Sequence, residues 1–357
     1  ICVPTLFLLM SVIFSLHYLG LLFSSKSYIP EFAVVCFIFA SGVGWRYAFL
    51  KECRNDINVN YVHNFCTDIY TFWIHPLIHF LLPQRSAAFS MPLAICITSL
   101  LILAVDSHLK DKKIVFLAGL LMGMLPLLSA HTYIAVGEYA IFICLLFFPF
   151  KQPTKWVSTV LYWSVFGFTA LALSIPQVIW LLRVPRHGFM TFQAICLETF
   201  PGKFTLRKFF KLWWDSLGSF VFLAFLPSML LMTRRQQMIY LPSIGVFLVS
   251  NFICYQPGAM DNNKVFFAGW YPIACLAVSN FFWCIIRNAR KNAIFIYCVL
   301  GLVFFSFIFG SLVCIYKAAA YSFPLFERSD MNAGEWIMEN SRKDTTFLCS
   351  WWHSNTA

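Results

Sequence analysis

Apolar stretches of about 20 residues recur along this chain, which is the length of helix that crosses the hydrocarbon core of a bilayer. Of the 357 residues, 60% are hydrophobic and only 11% are charged. These proportions exclude an ordinary water-soluble globule. The pattern predicts an all-α polytopic membrane protein with about ten transmembrane helices, at residues 2–23, 30–50, 86–107, 114–130, 133–150, 156–182, 213–232, 237–255, 265–286 and 293–316.

Positive charge is concentrated in four short connections between these spans. They are residues 108–113, 151–155, 233–237 and 287–292. Alternation places all four on one side of the membrane, and their Lys and Arg content predicts that this side is cytosolic. The lumenal side should then receive loops 51–85, 183–212 and 256–264, the turn at His131, and the segment after residue 316. Topology thus accounts for the net charge of +11, and no nucleic-acid partner is predicted.

Two lumenal segments are expected to form interfacial helices. Residues 69–82 are apolar but too short to cross a bilayer, which is typical of an interfacial or re-entrant helix. In residues 199–214, basic side chains alternate with Phe and Trp at near-helical spacing. This pattern predicts an amphipathic helix, which either meets phosphate-bearing lipid head groups or lies solvated at the interface. Its basic residues are Lys203, Arg207, Lys208 and Lys211.

The chain is expected to divide after residue 316. Residues 1–316 form the multispan domain, and residues 317–357 begin a small lumenal α/β domain. In that second domain, Ser329 or Asp330 can cap a helix, and TTFLCSWW predicts a strand. The sequence starts inside an apolar run, so a further span and its lumenal loop are expected before Ile1.

Cysteine and histidine patterns give only weak indications of further sites. Most of the 13 cysteines lie within apolar runs, where they act as small core residues. Cys53 and Cys66 share a hydrophilic loop, where they either form a disulfide or remain free thiols. His75 and His79 have a spacing that can bind a metal on one helical face, but they lack a companion ligand in the same motif. No metal site is therefore predicted.

Polar residues at the predicted lumenal ends of spans define a candidate site. The motif DNNK brings Asp261, Asn262 and Lys264 to the start of one span, and PQR brings Gln84 and Arg85 to the start of another. Arginine binds phosphate with two parallel hydrogen bonds, and Lys264 adds a second positive charge. Arg85 and Lys264 together therefore predict an anion site at the bilayer surface, although solvated span ends would explain the same residues.

His131 and Glu138 are the other polar residues expected at this site. They are seven residues apart, which places them on one face of a helix. An acid within a span is costly unless it is paired or faces a cavity. Glu138 is therefore interpreted either as a proton carrier or as a structural hydrogen-bond partner of a neighbouring span. With Gln84, Asp261 and Asn262, these two residues are expected to line a cavity.

Four motifs, taken together, resemble the GT-C superfamily of membrane glycosyltransferases. They are FWIHPLIHFLLPQRS, GLLMGMLPLLSAHTYIAVGEYAIF, YQPGAMDNNKVFFAGW and AGEWIMENSRKDTTFL, which extend over most of the chain. The resemblance implies an enzyme of the endoplasmic reticulum that transfers a sugar from a polyprenyl- or dolichyl-phosphate donor to a lumenal acceptor. It also implies that Arg85 and Lys264 contact the donor phosphate, while His131, Asp261 and Asn262 line the cavity.

The resemblance assigns no catalytic residue within this sequence. The acid of the family is usually an Asp in the first lumenal loop, which is expected here before Ile1, and some members hold a divalent metal nearby. Asp56 and Asp68 lie in a later loop and do not take that role. The alternative is a non-catalytic GT-C-like subunit that binds membrane lipid and anchors protein partners in a larger complex. A transporter also fits the composition, but the paired broken spans typical of transporters are not seen in the sequence.

Overall fold

The computed structural model describes residues 2–26, 28–42, 73, 75–183, 190–255, 259–289, 293–320 and 328–342. Within these ranges the chain is almost entirely helical, as predicted. One two-stranded antiparallel sheet pairs β1 (Thr191–Phe192) with β2 (Ile253–Cys254). Internal contacts divide the chain into unit 1, residues 1–315, and unit 2, residues 316–357. Cys53, Cys66, Asp56 and Asp68 lie outside the described residues.

Within the described ranges, unit 1 is built from consecutive helices, most of them joined by short connections. A π-helix at Pro76–Leu81 and 3₁₀ turns at Pro153–Lys155 and Ala259–Asn262 lie among them. The α-helices of unit 1 are α1 (Cys2–Phe23), α2 (Tyr28–Phe39), α3 (Arg85–Asp106), α4 (Lys112–Gly123), α5 (Leu125–Leu128), α6 (Ala130–Leu146), α7 (Trp156–Leu182), α8 (Cys196–Thr199), α9 (Leu206–Leu217), α10 (Ser219–Ala224), α11 (Leu226–Leu231), α12 (Arg234–Phe252), α13 (Asn263–Gly269), α14 (Tyr271–Asn288) and α15 (Ala293–Ala320).

Unit 2 contains α16 (Arg328–Asn340), the helix predicted after the last span. It begins one residue before the predicted cap Ser329. Its large apolar side chains Trp336 and Met338 are exposed. The predicted strand at residues 345–352 lies outside the described residues, so the α/β character of this unit stays a prediction.

Several helices are long and apolar enough to span a membrane. Four such helices occur among the described residues, and the number rises to six if each of two bent helix pairs is one span. The chain is therefore a helical, multi-pass integral membrane protein. The count of ten spans stays a prediction, because α2 and α6 are shorter apolar helices and residues 43–50 of the predicted span 30–50 lie outside the described ranges. The four single spans are Val3–Phe23, Ser86–Asp106, Pro153–Leu182 and Ala293–Val313.

Two predicted spans differ in the structure because the helix bends. The predicted span 213–232 starts too late: the helix begins at Leu206, and the chain then turns by 108° at Gly218, whose φ is +56°. The predicted span 265–286 is bent by 56° at Trp270, just before Pro272. Proline lacks the N–H that would continue the hydrogen-bond ladder, which explains a break at that position.

Predicted cytosolic connections meet at one end of unit 1, which we call the basic end and define by residues 106–111 and 233–237. The Arg235 guanidinium donates to both carboxylate oxygens of Asp106, with an Nη2–Oδ2 distance of 2.5 Å. It also donates to the carbonyl of Leu22 at 2.7 Å. The Tyr162 hydroxyl on α7 donates to the carbonyl of Asp111 at 2.9 Å. These contacts join connections that the alternating spans predict to lie on the same side of the membrane.

A close helix pair, α4 and α7, depends on two glycines four residues apart. A Cβ atom added at Gly119 would lie 2.7 Å from the carbonyl oxygen of Phe166, and one added at Gly123 would lie 2.6 Å from Cβ of Leu173. Small residues at this spacing allow membrane helices to approach closely and pack by van der Waals contact. This Gly-x-x-x-Gly motif was readable in the sequence but was not identified there.

We expect Gly119→Leu to force α4 and α7 apart and to destabilise the protein. Overpacking of a tight contact costs about 1–3 kcal/mol, so the thermal unfolding midpoint in detergent should fall. The matched control is Gly167→Leu on α7, where an added Cβ has no atom within 4 Å. Equal midpoints for the two variants would contradict this account of the helix pair.

Candidate functional site

The predicted lumenal motifs meet at the end of unit 1 opposite the basic end. We call this region the site end and define it by residues 73–90, 130–138 and 255–264. Ser90 near the start of α3 lies 3.1 Å from Thr132 at the start of α6, measured between their hydroxyl oxygens. The Trp73 ring centroid lies 4.6 Å from that of Phe267, and the Phe80 centroid lies 4.8 Å from it. The segment before α3 therefore packs on α13, the helix that begins within DNNK.

His131 is at the centre of this region. It is 7% exposed, and its Nε2 is buried with no hydrogen-bond partner among the described residues. Burial and, to a smaller extent, the nearby Lys264 lower the pKa of His131 to about 4, while Asp261 opposes them. The imidazole is therefore neutral at neutral pH. Helix α13, which begins within DNNK, packs on α6: a Cβ atom added at Gly269 would lie 3.2 Å from Cβ of Ala135. The side of the membrane on which these residues lie stays a prediction.

Lys264 and Asp261 form an ion pair across the turn that precedes α13. Lys264 Nζ lies 2.7 Å from Asp261 Oδ1, and the side chains are 22% and 39% exposed. The prediction treated Lys264 as a separate cation, but here its charge lies beside a carboxylate. That Lys264 contacts a phosphate stays a prediction. Asp261 would affect such a contact, because it fixes the position of the Lys264 ammonium group.

Glu138 is hydrogen-bonded to a residue far away in sequence. The Tyr255 hydroxyl donates to Glu138 Oε1 and thereby joins α6 to the end of β2. Glu138 Oε2 is buried with no hydrogen-bond partner within the described ranges. The bond to Tyr255 supports the structural interpretation of Glu138, while Oε2 keeps one acceptor available on the same helix face as His131.

Asn262 has a structural role that the sequence did not reveal. Its side chain is 0% exposed. Its amide nitrogen donates to the carbonyls of Ser250 at 2.8 Å and Ile253 at 2.6 Å, and its amide oxygen accepts from the Tyr255 N–H at 3.0 Å. Both amide hydrogens are thus bonded to backbone carbonyls at the end of α12. Asn262 therefore fixes the turn that presents Asp261 and Lys264, and its predicted place in a cavity stays a prediction.

The predicted pairing of Arg85 with Lys264 is not defined by the structure. Arg85 begins α3, and Gln84 is half-buried directly before it. The Arg85 side chain lies outside what the structure describes, and so does that of His79. The anion site formed by Arg85 and Lys264 therefore stays a prediction.

His75 is a helix cap in this structure. Its Nδ1 accepts hydrogen bonds from the N–H groups of Leu77 at 3.1 Å and Ile78 at 3.3 Å, at the start of the π-helix. The side chain is buried, and burial lowers its pKa to about 4. Among the described side chains, no group of three or more His, Cys, Asp or Glu residues is arranged to hold a metal ion.

The amphipathic helix predicted in residues 199–214 is present as α9, from residue 206 onward. Two of its four predicted basic residues are engaged within the chain: Lys208 Nζ donates to the carbonyl of Lys203 at 3.0 Å, and Lys211 Nζ lies 2.5 Å from Asp215. Lys203 and Arg207 are exposed. The helix therefore presents fewer available cations to lipid head groups than its sequence indicated.

No model of a known protein family matches the chain, and no curated protein does so either. The resemblance to GT-C glycosyltransferases therefore depends on the sequence motifs alone and stays a prediction.

We expect Asn262→Asp to destabilise the protein strongly. A carboxylate at this buried position would face two carbonyl oxygens, and the two lost donations leave those acceptors unsatisfied at about 1–3 kcal/mol each. The thermal unfolding midpoint should fall, whereas Asn288→Asp on the exposed end of α14 should leave it nearly unchanged. A wild-type midpoint for Asn262→Asp would mean that Asn262 faces a solvated cavity.

Acid should destabilise the folded chain through His131 and His75. Both have a pKa of about 4 when folded, below the ordinary value near 6.5. Below pH 6.5 the unfolded chain takes up protons that the folded chain does not, so stability falls by about 1.4 kcal/mol per pH unit for each histidine until the pH reaches the folded pKa.

Unfolding midpoints measured from pH 7 to pH 4.5 test this dependence. The slope should become shallower in His131→Asn, while the exposed His108→Asn control should keep the wild-type slope. Identical slopes for His131→Asn and the wild type would show that His131 does not remain neutral on folding.

Proposed function

We propose that this chain is a GT-C-like membrane glycosyltransferase of the endoplasmic reticulum. It transfers a sugar from a polyprenyl- or dolichyl-phosphate donor to an acceptor on the lumenal side. The observation that carries the proposal is the pair of buried polar atoms, His131 Nε2 and Glu138 Oε2, which lack a hydrogen-bond partner among the described residues. Buried polar atoms are normally hydrogen-bonded, so two such atoms on one face of α6, one of them near the ion pair of Lys264 and Asp261, support a site for a polar ligand.

The chemistry of these groups suits a sugar phosphate. Lys264 has three donors, of which Asp261 occupies one, so the others remain for a phosphate oxygen. His131 and Glu138 are separated by about 10 Å along the axis of α6, which leaves room for a sugar attached to that phosphate. The neutral imidazole and the carboxylate then bind sugar hydroxyls.

The catalytic base is not assigned to any of these residues. The resemblance places that Asp in the first lumenal loop of the family, and the residues above act in binding and orienting the donor. A metal held by some family members would require carboxylate or histidine ligands in addition to the described ones.

A non-catalytic GT-C-like subunit is the second candidate, and one observation favours it. Lys264 and Asp261 neutralise each other, and Asn262 bonds to the backbone, so three of the DNNK side chains have structural partners. A site with these properties would be retained by a protein that holds a lipid and anchors partner proteins without transferring sugar.

Transfer assays on the full chain in liposomes distinguish the two candidates. Radiolabelled dolichyl-phosphate-mannose and dolichyl-phosphate-glucose serve as donors, and both donor binding and transfer are measured. We expect His131→Ala and Lys264→Met each to weaken donor binding about tenfold or more, because each removes a hydrogen bond to a charged or buried group. The control Lys113→Met, at the exposed start of α4, should bind like the wild type.

Three results would count against the proposed enzyme. Transfer by Lys264→Met at the wild-type rate would show that DNNK does not bind the donor phosphate. Binding of donor without transfer, together with stable copurifying proteins, would favour the non-catalytic subunit. Wild-type protein that neither binds nor transfers from any of these donors would overturn both candidates.

A further inference from the structure

Two cavities of similar size meet at Trp283 on α14, on the basic-end side of unit 1. One has a volume of about 550 Å³, and eight of its fourteen lining residues are polar or charged. The other has a volume of about 570 Å³ and is lined mainly by aromatic and aliphatic residues. Trp283 lines both. We call them the polar chamber and the apolar groove.

Helix α14 contributes neighbouring faces to the two cavities. Asn280 and Arg287 face the polar chamber, whereas Phe282 and Ile286 face the apolar groove. At about 3.6 residues per turn, Asn280 and Arg287 lie on one stripe of the helix and Phe282 and Ile286 on a second stripe, with Trp283 between the two. The chamber and the groove are therefore side by side along α14, with Trp283 between them.

The polar chamber has an excess of positive charge. Lys26, Arg235 and Arg287 all line it. Arg235 is paired with Asp106, but within the described ranges Lys26 and Arg287 take part in no ion pair. The floor includes Gln236 and Asn280, which are buried and hydrogen-bonded to each other at 3.3 Å. An anion entering this chamber would meet two cations whose charge is not already balanced.

The apolar groove lies between α2, α14 and α15 and has open space. The Tyr28 ring stacks on Trp283 with centroids 5.5 Å apart and forms the end of the groove next to the chamber. Beside Gly301 on α15, an added Cβ would have no atom within 4 Å. The groove contains one acidic residue, Glu31, whose carboxylate lies 3.3 Å from His17 Nε2. Away from Glu31, the lining suits a hydrocarbon chain.

We propose that the chamber and the groove together bind one anionic glycerophospholipid. Its phosphate lies near Lys26 and Arg287, and an acyl chain lies in the groove beside Gly301. Basic pockets between membrane helices bind anionic lipid head groups, and Trp and Tyr are enriched at the level where head group and acyl chain meet. A free phosphate would leave the groove unused, and a lipid without net charge would gain little from the two cations. The site is at the opposite end from DNNK, so the proposal is independent of sugar transfer.

Titration of the full chain in detergent with phosphatidylglycerol and phosphatidylcholine tests the charge requirement. Native mass spectrometry counts bound lipids and gives an apparent Kd for each. We expect phosphatidylglycerol to bind more tightly, and Arg287→Gln to weaken its binding about fivefold, because each basic residue near an anionic lipid contributes about that factor. Binding of phosphatidylcholine should not change. Lys113→Gln, a basic residue at the same end but outside the chamber, should behave like the wild type.

A second pair of variants tests the groove. Gly301→Leu fills the open space and should weaken phosphatidylglycerol binding, whereas Gly167→Leu makes the same change in open space on α7 and should not. Unfolding midpoints show whether each variant is folded, and Arg287→Gln decides the matter if Gly301→Leu does not fold. Equal affinity for the two lipids, or wild-type binding by both Arg287→Gln and Gly301→Leu, would overturn the proposal. Displacement of the lipid by an equal concentration of inorganic phosphate would also overturn it, in favour of a free-phosphate site.

Discussion

The requirement that every backbone N–H and C=O inside a bilayer finds a partner governs this structure. Continuous helices meet it internally, but several apolar helices here are interrupted, and each interruption leaves backbone groups to be satisfied. Side chains from other helices do this. Gln177 on α7 donates to the carbonyl of Gly123 at 2.7 Å and accepts from the N–H of Leu127 at 3.3 Å, where α4 gives way to α5. Asn262 does the same at the end of α12.

This requirement separates structural polar residues from candidate functional ones. The Tyr271 hydroxyl donates to the carbonyl of Cys36 at 2.9 Å, and the Tyr240 hydroxyl donates to that of Ala224 at 2.5 Å. Residues of this kind complete the backbone and need no ligand to explain them. His131 and Glu138 are different, because each keeps a buried atom without a described partner, and His131 also lies near the ion pair of Lys264 and Asp261. The proposed donor site depends on that difference.

The sequence predicted the uninterrupted helices well because their apolar runs contain few breaks: α1, α3, α7 and α15 lie within a few residues of the predicted spans. Interrupted spans were predicted poorly. A helix can bend, as it does at Trp270, only where tertiary contacts satisfy the backbone groups that the bend exposes, and the apolar pattern does not reveal such contacts. The proximity of His131 to DNNK followed from sidedness alone. The ion pair of Lys264 and the backbone role of Asn262 could not be predicted, because both depend on the 3₁₀ turn at Ala259–Asn262.

The two ends of unit 1 differ in how they would recognise phosphate. At the site end the cation of Lys264 is balanced by Asp261, so net charge supplies little affinity, and selection would depend on hydrogen bonds from a sugar to His131 and Glu138. At the basic end, Lys26 and Arg287 have no described ion-pair partner, so charge alone attracts any anionic head group that also fills the groove. Directional hydrogen bonds discriminate between ligands more sharply than a net charge does. An anionic lipid would therefore bind at the basic end without competing for the site proposed for the sugar donor.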